Sequence, residues 1–306
     1  MHSSPLYRGR FAPSPTGPLH FGSLVAAAGS YLDARANNGE WLVRMEDLDT
    51  LRTAPGAADD ILRTLQAFGF EWDGKVVYQS ARAELYQGAL EKLREQKLIY
   101  PCACSRKEIA DSSIVGIDGL VYPGTCRAGI RDRNKTARTW RVYTQENINI
   151  FNDLICGGIS QNIAKEIGDF VVWRVHGLAS YQLAVVVDDA AQGITHVVRG
   201  ADLLASTARQ IYLQQLLHLP TPQYLHLPVA ANERGEKWSK QTLATALNSR
   251  EPLPSLRAAL DFLGQPSTEV LTLTELWQFA IANWARDKIP HHLNPSKNNS
   301  INEPNK

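Results

Sequence analysis

Between Tyr7 and Asp47 the chain commits to one architecture. Tyr7 to Ala12 reads as a short strand. Pro13-Ser14-Pro15-Thr16-Gly17-Pro18 follows, a run that neither a helix interior nor a central strand tolerates. Leu24, Ala28, Tyr31 and Leu32 then fall on one face at helical spacing, and Asn37-Asn38-Gly39 stops that helix. Trp41-Leu42-Val43-Arg44-Met45 is a second apolar strand, ending in Glu46-Asp47. Strand, loop, helix, strand is a βαβ unit, the start of a parallel sheet covered by helices. The predicted fold class is α/β with a Rossmann-type core.

The remaining pattern extends this core. Pro55 opens a helix with Ala58, Ile61, Leu62, Leu65 and Phe68 inward and Gly69 as its stop, and another helix covers about Ala81 to Lys97. Residues 102 to 130 break the rhythm with three cysteines and frequent Gly and Pro, and read as a small insertion. Strand-like runs resume at Thr139 to Tyr143, Phe170 to Val175 and Thr195 to Arg199. A helix at Leu203 to Leu217 and a last strand at Tyr224 to Val229 follow. Beyond a polar loop, short helices are expected near Pro254 to Gly264 and Leu273 to Ala285. The expected organisation is a catalytic core in two halves, 1–101 and 131–245, around the insertion 102–130, then a short helical C-terminal region 246–287. The polar tail 288–306 is expected to be disordered.

With 306 residues, 44% hydrophobic, the chain can bury a large core. Its net charge of +1 gives no global basic field, though a local patch can still bind nucleic acid. No run is long and apolar enough for a membrane span, and Met1-His2-Ser3-Ser4-Pro5 lacks a signal pattern. Four cysteines, at 102, 104, 126 and 156, are too sparse for a disulfide scaffold, which points to a reducing cytoplasm.

Two segments carry phosphate chemistry. The start of a helix after the first strand of a parallel sheet favours an anion through its N–H groups and its dipole. Ser14, Thr16 and Gly17 lie there, with His20 as a hydrogen-bond donor and Gly22 allowing a nucleotide close to the backbone. Late in the chain, Lys237-Trp238-Ser239-Lys240 offers two lysines that can neutralise charge building on a leaving pyrophosphate. His20 and Lys240 are the candidate catalytic residues, and His20, Gly22, Lys237 and Lys240 the candidate ATP contacts. Mg²⁺ is expected with the ATP.

These segments carry a resemblance. Arg10-Phe11-Ala12-Pro13-Ser14-Pro15-Thr16-Gly17-Pro18-Leu19-His20-Phe21-Gly22-Ser23 resembles the HIGH-type motif of the class I aminoacyl-tRNA synthetases, in their glutamyl branch, and Lys237-Trp238-Ser239-Lys240-Gln241 resembles their KMSKS motif. Val43 to Asp47 and Val198 to Leu204 also match segments of that branch, so the resemblance runs from about residue 7 to 245. Ser23 stands where the first motif has its second histidine, and Trp238 and Gln241 replace the usual Met and Ser.

A glutamate site needs cations for two carboxylates and an acceptor for the ammonium, and Arg pairs a carboxylate bidentately. Arg10 and Arg199 both stand at strand ends, as does Glu46, a candidate ammonium partner; Tyr181 offers a hydroxyl. The alternative for Arg10 and Glu46 is a salt bridge between neighbouring strands. The resemblance implies that Arg10, Ala12, Ser14, Glu46, Tyr181 and Arg199 bind glutamate.

Cys102, Cys104 and Cys126 suggest a structural zinc site with a fourth ligand to find. Tyr122, Cys156 and water are the candidates, and chemistry alone favours Cys156, because a phenol of pKa about 10 must be depressed to bind a metal. The resemblance implies the set Cys102, Cys104, Tyr122 and Cys126.

After Lys240 there is no room for the anticodon-reading helical region of a conventional glutamyl-tRNA synthetase. The short family with that truncation is the glutamyl-Q tRNA(Asp) synthetases. The resemblance then implies ATP-dependent activation of L-glutamate and its transfer to queuosine, the modified wobble base in the anticodon loop of tRNA(Asp). It implies no membrane partner, and a monomer is expected. Competing readings are a truncated enzyme charging the 3′ end of tRNA, a non-catalytic tRNA-binding paralogue, and a nucleotidyltransferase acting on another small carboxylate.

Overall fold

The computed structural model describes residues 6–116, 119–146, 148–229, 246–270 and 272–291. β1 (Arg8–Phe11) is followed by α1 (Phe21–Ala36) and by β2 (Glu40–Met45), which pairs in parallel with β1 so that Arg10 faces Leu42. The C-terminal half of β2 is buried on both faces, as a central strand covered by helices must be. α2 (Ala57–Ala67) carries Asp59 and Asp60 in its first turn, where the helix dipole favours anions, and returns to the edge strand β3 (Val77–Tyr78).

A 3-10 turn, Gln79–Arg82, leads into α3 (Ala83–Glu95) and β4 (Ile99–Cys102). Next come α4 (Arg106–Ser112), the hairpin of β5 (Ile114–Gly116) and β6 (Gly119–Val121), then β7 (Thr139–Val142). β8 (Ile148–Asp153) and β9 (Gly157–Asn162) form a second hairpin. The short α5 (Ile163–Glu166), β10 (Val171–Arg174) and β11 (Leu178–Ala179) follow. β11, β10, β7 and β4 make a separate antiparallel sheet. The runs expected at 139–143 and 170–175 are therefore strands, but they lie outside the parallel sheet.

α6 (Tyr181–Ala191) brings the chain back to the core. β12 (His196–Gly200), α7 (Leu204–Leu217) and β13 (Gln223–Leu227) complete a second βαβ unit. Two sheets result, β3-β2-β1 and β12-β13-β8-β9, and they adjoin at β1 and β12, where the Thr195 N–H donates to the Arg8 carbonyl (2.9 Å). Neither the β8–β9 hairpin nor α6 is legible as such in the sequence.

α8 (Pro252–Phe262) and α9 (Leu273–Ala282) pack on α1. Leu256, Ala259, Leu260, Leu276 and Trp277 share one core with Leu24, Ala28, Tyr31, Trp41 and Phe70. Residues 288–291, expected in the disordered tail, are held instead. Ile289 is 1% exposed, and the His291 ring is 2.9 Å from the Ile155 carbonyl. Burial of one apolar side chain offsets the polarity that marks this stretch in the sequence. The rest of the expected tail lies outside the described residues. No helix among the described residues is long and apolar enough to cross a membrane.

Candidate active site

Where β1 and β12 meet, the chain order of the sheet reverses, and the strand ends open a crevice there. A cavity of about 390 Å³ occupies it. Arg10, Ala12, Ser14, His20, Gly22, Glu46, Tyr181 and Arg199, singled out above, all line it.

The opening loop is fixed by its own backbone. The Thr16 N–H donates to the Ser14 carbonyl (2.8 Å), the Glu46 N–H to Pro13 (3.0 Å) and the Ala54 N–H to Pro15 (2.9 Å). Gly17 takes a φ of 145°, a conformation that side-chain-bearing residues avoid. His20 is not inside the helix but caps it: the Ser23 N–H donates to its Nδ1 (3.4 Å). An accepting Nδ1 leaves the proton of the neutral ring on Nε2, the tautomer able to donate to a phosphate oxygen. Lys237 and Lys240 lie outside the described residues. Their segment leaves the core at Val229, which lines the cavity, and rejoins it at Ala246, bridged to His20, with the Leu247 N–H donating to Leu19 (3.0 Å).

Arg10 and Glu46 do not pair with each other. Arg10 Nε lies 3.1 Å from Asp189 Oδ1, and Arg44 reaches Asp189 (2.8 Å) and Glu46 (3.3 Å). Neighbouring Asp188 accepts from Gln79 (2.7 Å), Arg82 (2.6 Å) and Tyr86 (2.8 Å). Burial works against the Asp189 charge, but Arg10 and Arg44 outweigh it and hold its carboxyl below the usual range. Burial instead dominates at Glu46 and pushes its pKa up, which an incoming ammonium would reverse. Burial also raises that of Tyr181. Arg44, Asp188 and Asp189 were not anticipated as site residues. Their signal was a charge inside an apolar strand and two adjacent acids inside an apolar helix, since such groups must find partners.

Arg199 differs from Arg10. It is 5% exposed, its Nε and Nη2 are committed, and its Nη1 has no hydrogen-bond partner among the described residues. A buried guanidinium with an N–H group left without a partner can take a carboxylate.

A second cluster lies in the insertion. Cys102, Cys104 and Cys126 bring their sulfurs within 4.8 Å of one another, and Tyr122 Oη is 3.3 Å from Cys102 and 3.4 Å from Cys104. Burial opposes the Cys102 thiolate, but hydrogen bonds from Tyr122, the Cys104 backbone and Arg141 bring it down to about 7. Burial pushes Cys104 up to about 11. Three free thiols and one phenol converging on one point are a donor set compatible with zinc. Cys156 is elsewhere, beside Asp153, with its thiol pushed up to about 12 by burial.

Residues 7–253 match the family described as tRNA synthetases class I (E and Q), catalytic domain. The chain belongs to this family. It is a ligase of the class I synthetase type, a class that works with ATP and Mg²⁺. It is 59% identical to a glutamyl-Q tRNA(Asp) synthetase of Dechloromonas aromatica, over 93% of this chain and 96% of that one. It is 56% identical to that of Chromobacterium violaceum, over 94% and 97%. Among solved structures, a glutamate-tRNA synthetase from Elizabethkingia anophelis superposes with a TM-score of 0.78 at 23% identity, covering 94% of this chain and 67% of that one. A glutamate tRNA ligase from Elizabethkingia meningosepticum, in complex with its amino acid, gives 0.77 at 22%, covering 94% and 66%. At these identities what is shared is the fold.

Proposed function

We propose that the chain activates L-glutamate with ATP to glutamyl-adenylate and transfers the glutamyl group to queuosine in the anticodon loop of tRNA(Asp). The observation that carries the glutamate half is Arg199, a buried guanidinium whose Nη1 has no hydrogen-bond partner among the described residues and which lines the same cavity as the His20 loop and Glu46. The names of the relatives support the acceptor.

In this reading Arg199 and Arg10 take the carboxylates, Glu46 the ammonium, and Tyr181, Ala12 and Ser14 complete the pocket. The glutamate α-carboxylate attacks the α-phosphorus of ATP; the P–O bond to pyrophosphate breaks, and the mixed anhydride forms. The nucleophile is already ionised, so no general base is needed, and catalysis rests on positioning and charge stabilisation. His20 donates from Nε2 to the phosphates, with Gly22 leaving room beside it. Lys240, assisted by Lys237, stabilises the departing pyrophosphate, and both ends of their segment are at the cavity. Mg²⁺, when bound, neutralises phosphate charge. In the second step a hydroxyl of the acceptor attacks the anhydride and releases AMP. Cys102, Cys104, Tyr122 and Cys126 would hold a zinc ion with a structural role.

Labelled glutamate offered with ATP to bulk tRNA from cells with and without queuosine tests this. Label should enter only queuosine-bearing tRNA, and Arg199→Ala should abolish the transfer while the far-UV spectrum stays unchanged. Equal labelling of queuosine-free tRNA would refute the acceptor, and unchanged labelling by Arg199→Ala would remove Arg199 from the site.

A further inference from the structure

His226 does not line the cavity, yet it is hydrogen-bonded to Arg199, which does. The ring is 1% exposed, and its Nδ1 lies 2.6 Å from Asp153 Oδ2. The other oxygen of Asp153 accepts the backbone N–H groups of Ile155 (3.0 Å), Cys156 (2.8 Å) and His226 (3.3 Å). A carboxylate held by four N–H groups stays ionised and can only accept. The His226 proton therefore sits on Nδ1, and Nε2 presents a lone pair. That lone pair faces Arg199 Nε at 3.1 Å, while Thr207 Oγ1 bridges Nε2 (3.2 Å) and Arg199 Nη2 (2.9 Å).

The two cavity arginines are thus held in different ways. Arg10 is faced by the carboxylate of Asp189, which offsets its charge. Arg199 is held by an imidazole, a hydroxyl and the Leu203 carbonyl (3.4 Å), and no described carboxylate forms an ion pair with it. An acid in direct contact would fix the guanidinium equally well but cancel its charge. An imidazole one step removed from Asp153 fixes the geometry and leaves the charge for the ligand. Burial keeps the ring neutral by lowering its pKa, so the acceptor persists at ordinary pH.

We propose that His226 is a positioning residue for amino-acid selection: its neutral Nε2, oriented by Asp153, aims Arg199 at the cavity with its charge uncompensated, favouring a dicarboxylic amino acid over its amide. This rests on the reading that Arg199 receives the side-chain carboxylate of the substrate, the one group by which glutamate and glutamine differ.

The test is calorimetric titration of the full chain with L-glutamate, L-glutamine and a non-hydrolysable ATP analogue. His226→Gln places an amide oxygen near the position of Nε2 and should keep glutamate affinity within about threefold of wild type. His226→Leu removes the acceptor. It should lose about tenfold or more for glutamate, the equivalent of one charged hydrogen bond, lower the glutamate-to-glutamine ratio, and leave the ATP analogue unaffected. His226→Asn keeps an N–H for Asp153 but is too short for Arg199, so it gives the same contrast should the leucine variant fail to fold. Equal glutamate affinity in the Leu or Asn variant and wild type overturns the proposal, as does an equal loss in the Gln variant. A wild-type protein that binds no glutamate refutes the site reading itself, and this proposal with it.

Discussion

Replacing Trp277 by Ala tests whether the C-terminal helices are integral to the catalytic core. The indole of α9 is 5% exposed and lies against α1 and the turn after α2, with ring centroids 4.8 Å from Tyr31 and 4.9 Å from Phe70. Its Nε1–H donates to the Phe68 carbonyl at 3.0 Å. Truncating a buried Trp to Ala costs about 3–5 kcal/mol, through lost burial and the cavity left behind. Trp277→Phe keeps most of the ring and gives up the N–H, which isolates about 1 kcal/mol for the hydrogen bond. Urea unfolding followed by far-UV circular dichroism measures both. The midpoint should fall strongly for Ala and slightly for Phe, with an unchanged slope, because one cooperative unit unfolds in each case. A loss below about 1 kcal/mol for the Ala variant, or an early transition confined to a small part of the helical signal, would show that α9 is an appendage. The same packing would then not be supporting α1, whose cap is His20.

Two further outcomes can be checked. Purified protein should carry about one equivalent of zinc, lost in Cys104→Ser but retained in Cys156→Ser, by elemental analysis; less than a tenth of an equivalent in wild type would rule the site out. Acid should destabilise the fold in a defined window. Burial depresses the His226 pKa, so its contribution is complete above about pH 6.5, where the unfolded ring is also neutral, and is lost as pH falls below that value. His226→Gln should flatten part of the slope of stability against pH below about 6.5, and an unchanged slope would contradict the buried neutral ring.

What the sequence made legible was local. The first βαβ unit could be read because its punctuation and periodicity lie within a few dozen residues, and the candidate residues Arg10, Glu46 and Arg199 inherit their places from strand ends. The charge lattice was not legible, because Arg44 meets Asp188 and Asp189 only after the antiparallel sheet has been inserted between them. The same holds for Asp153 and His226, brought together when the β8–β9 hairpin joins β13. That hairpin was hidden because Ile148 and Ile150 face outward, so its apolar alternation marks no core face. The choice between Tyr122 and Cys156 beside the three thiols likewise depended on tertiary placement.

The pairing of His20 with Ala246 also acts as a leash. An extended chain advances at most about 3.6 Å per residue, so Lys240 cannot stray more than about 22 Å, backbone to backbone, from Ala246 and the turn it joins. Whatever path the intervening residues take, the Lys240 backbone stays within that radius of the turn that holds His20. Adding a few glycines between Lys240 and Ala246 would widen that radius while leaving the described lining residues as they are.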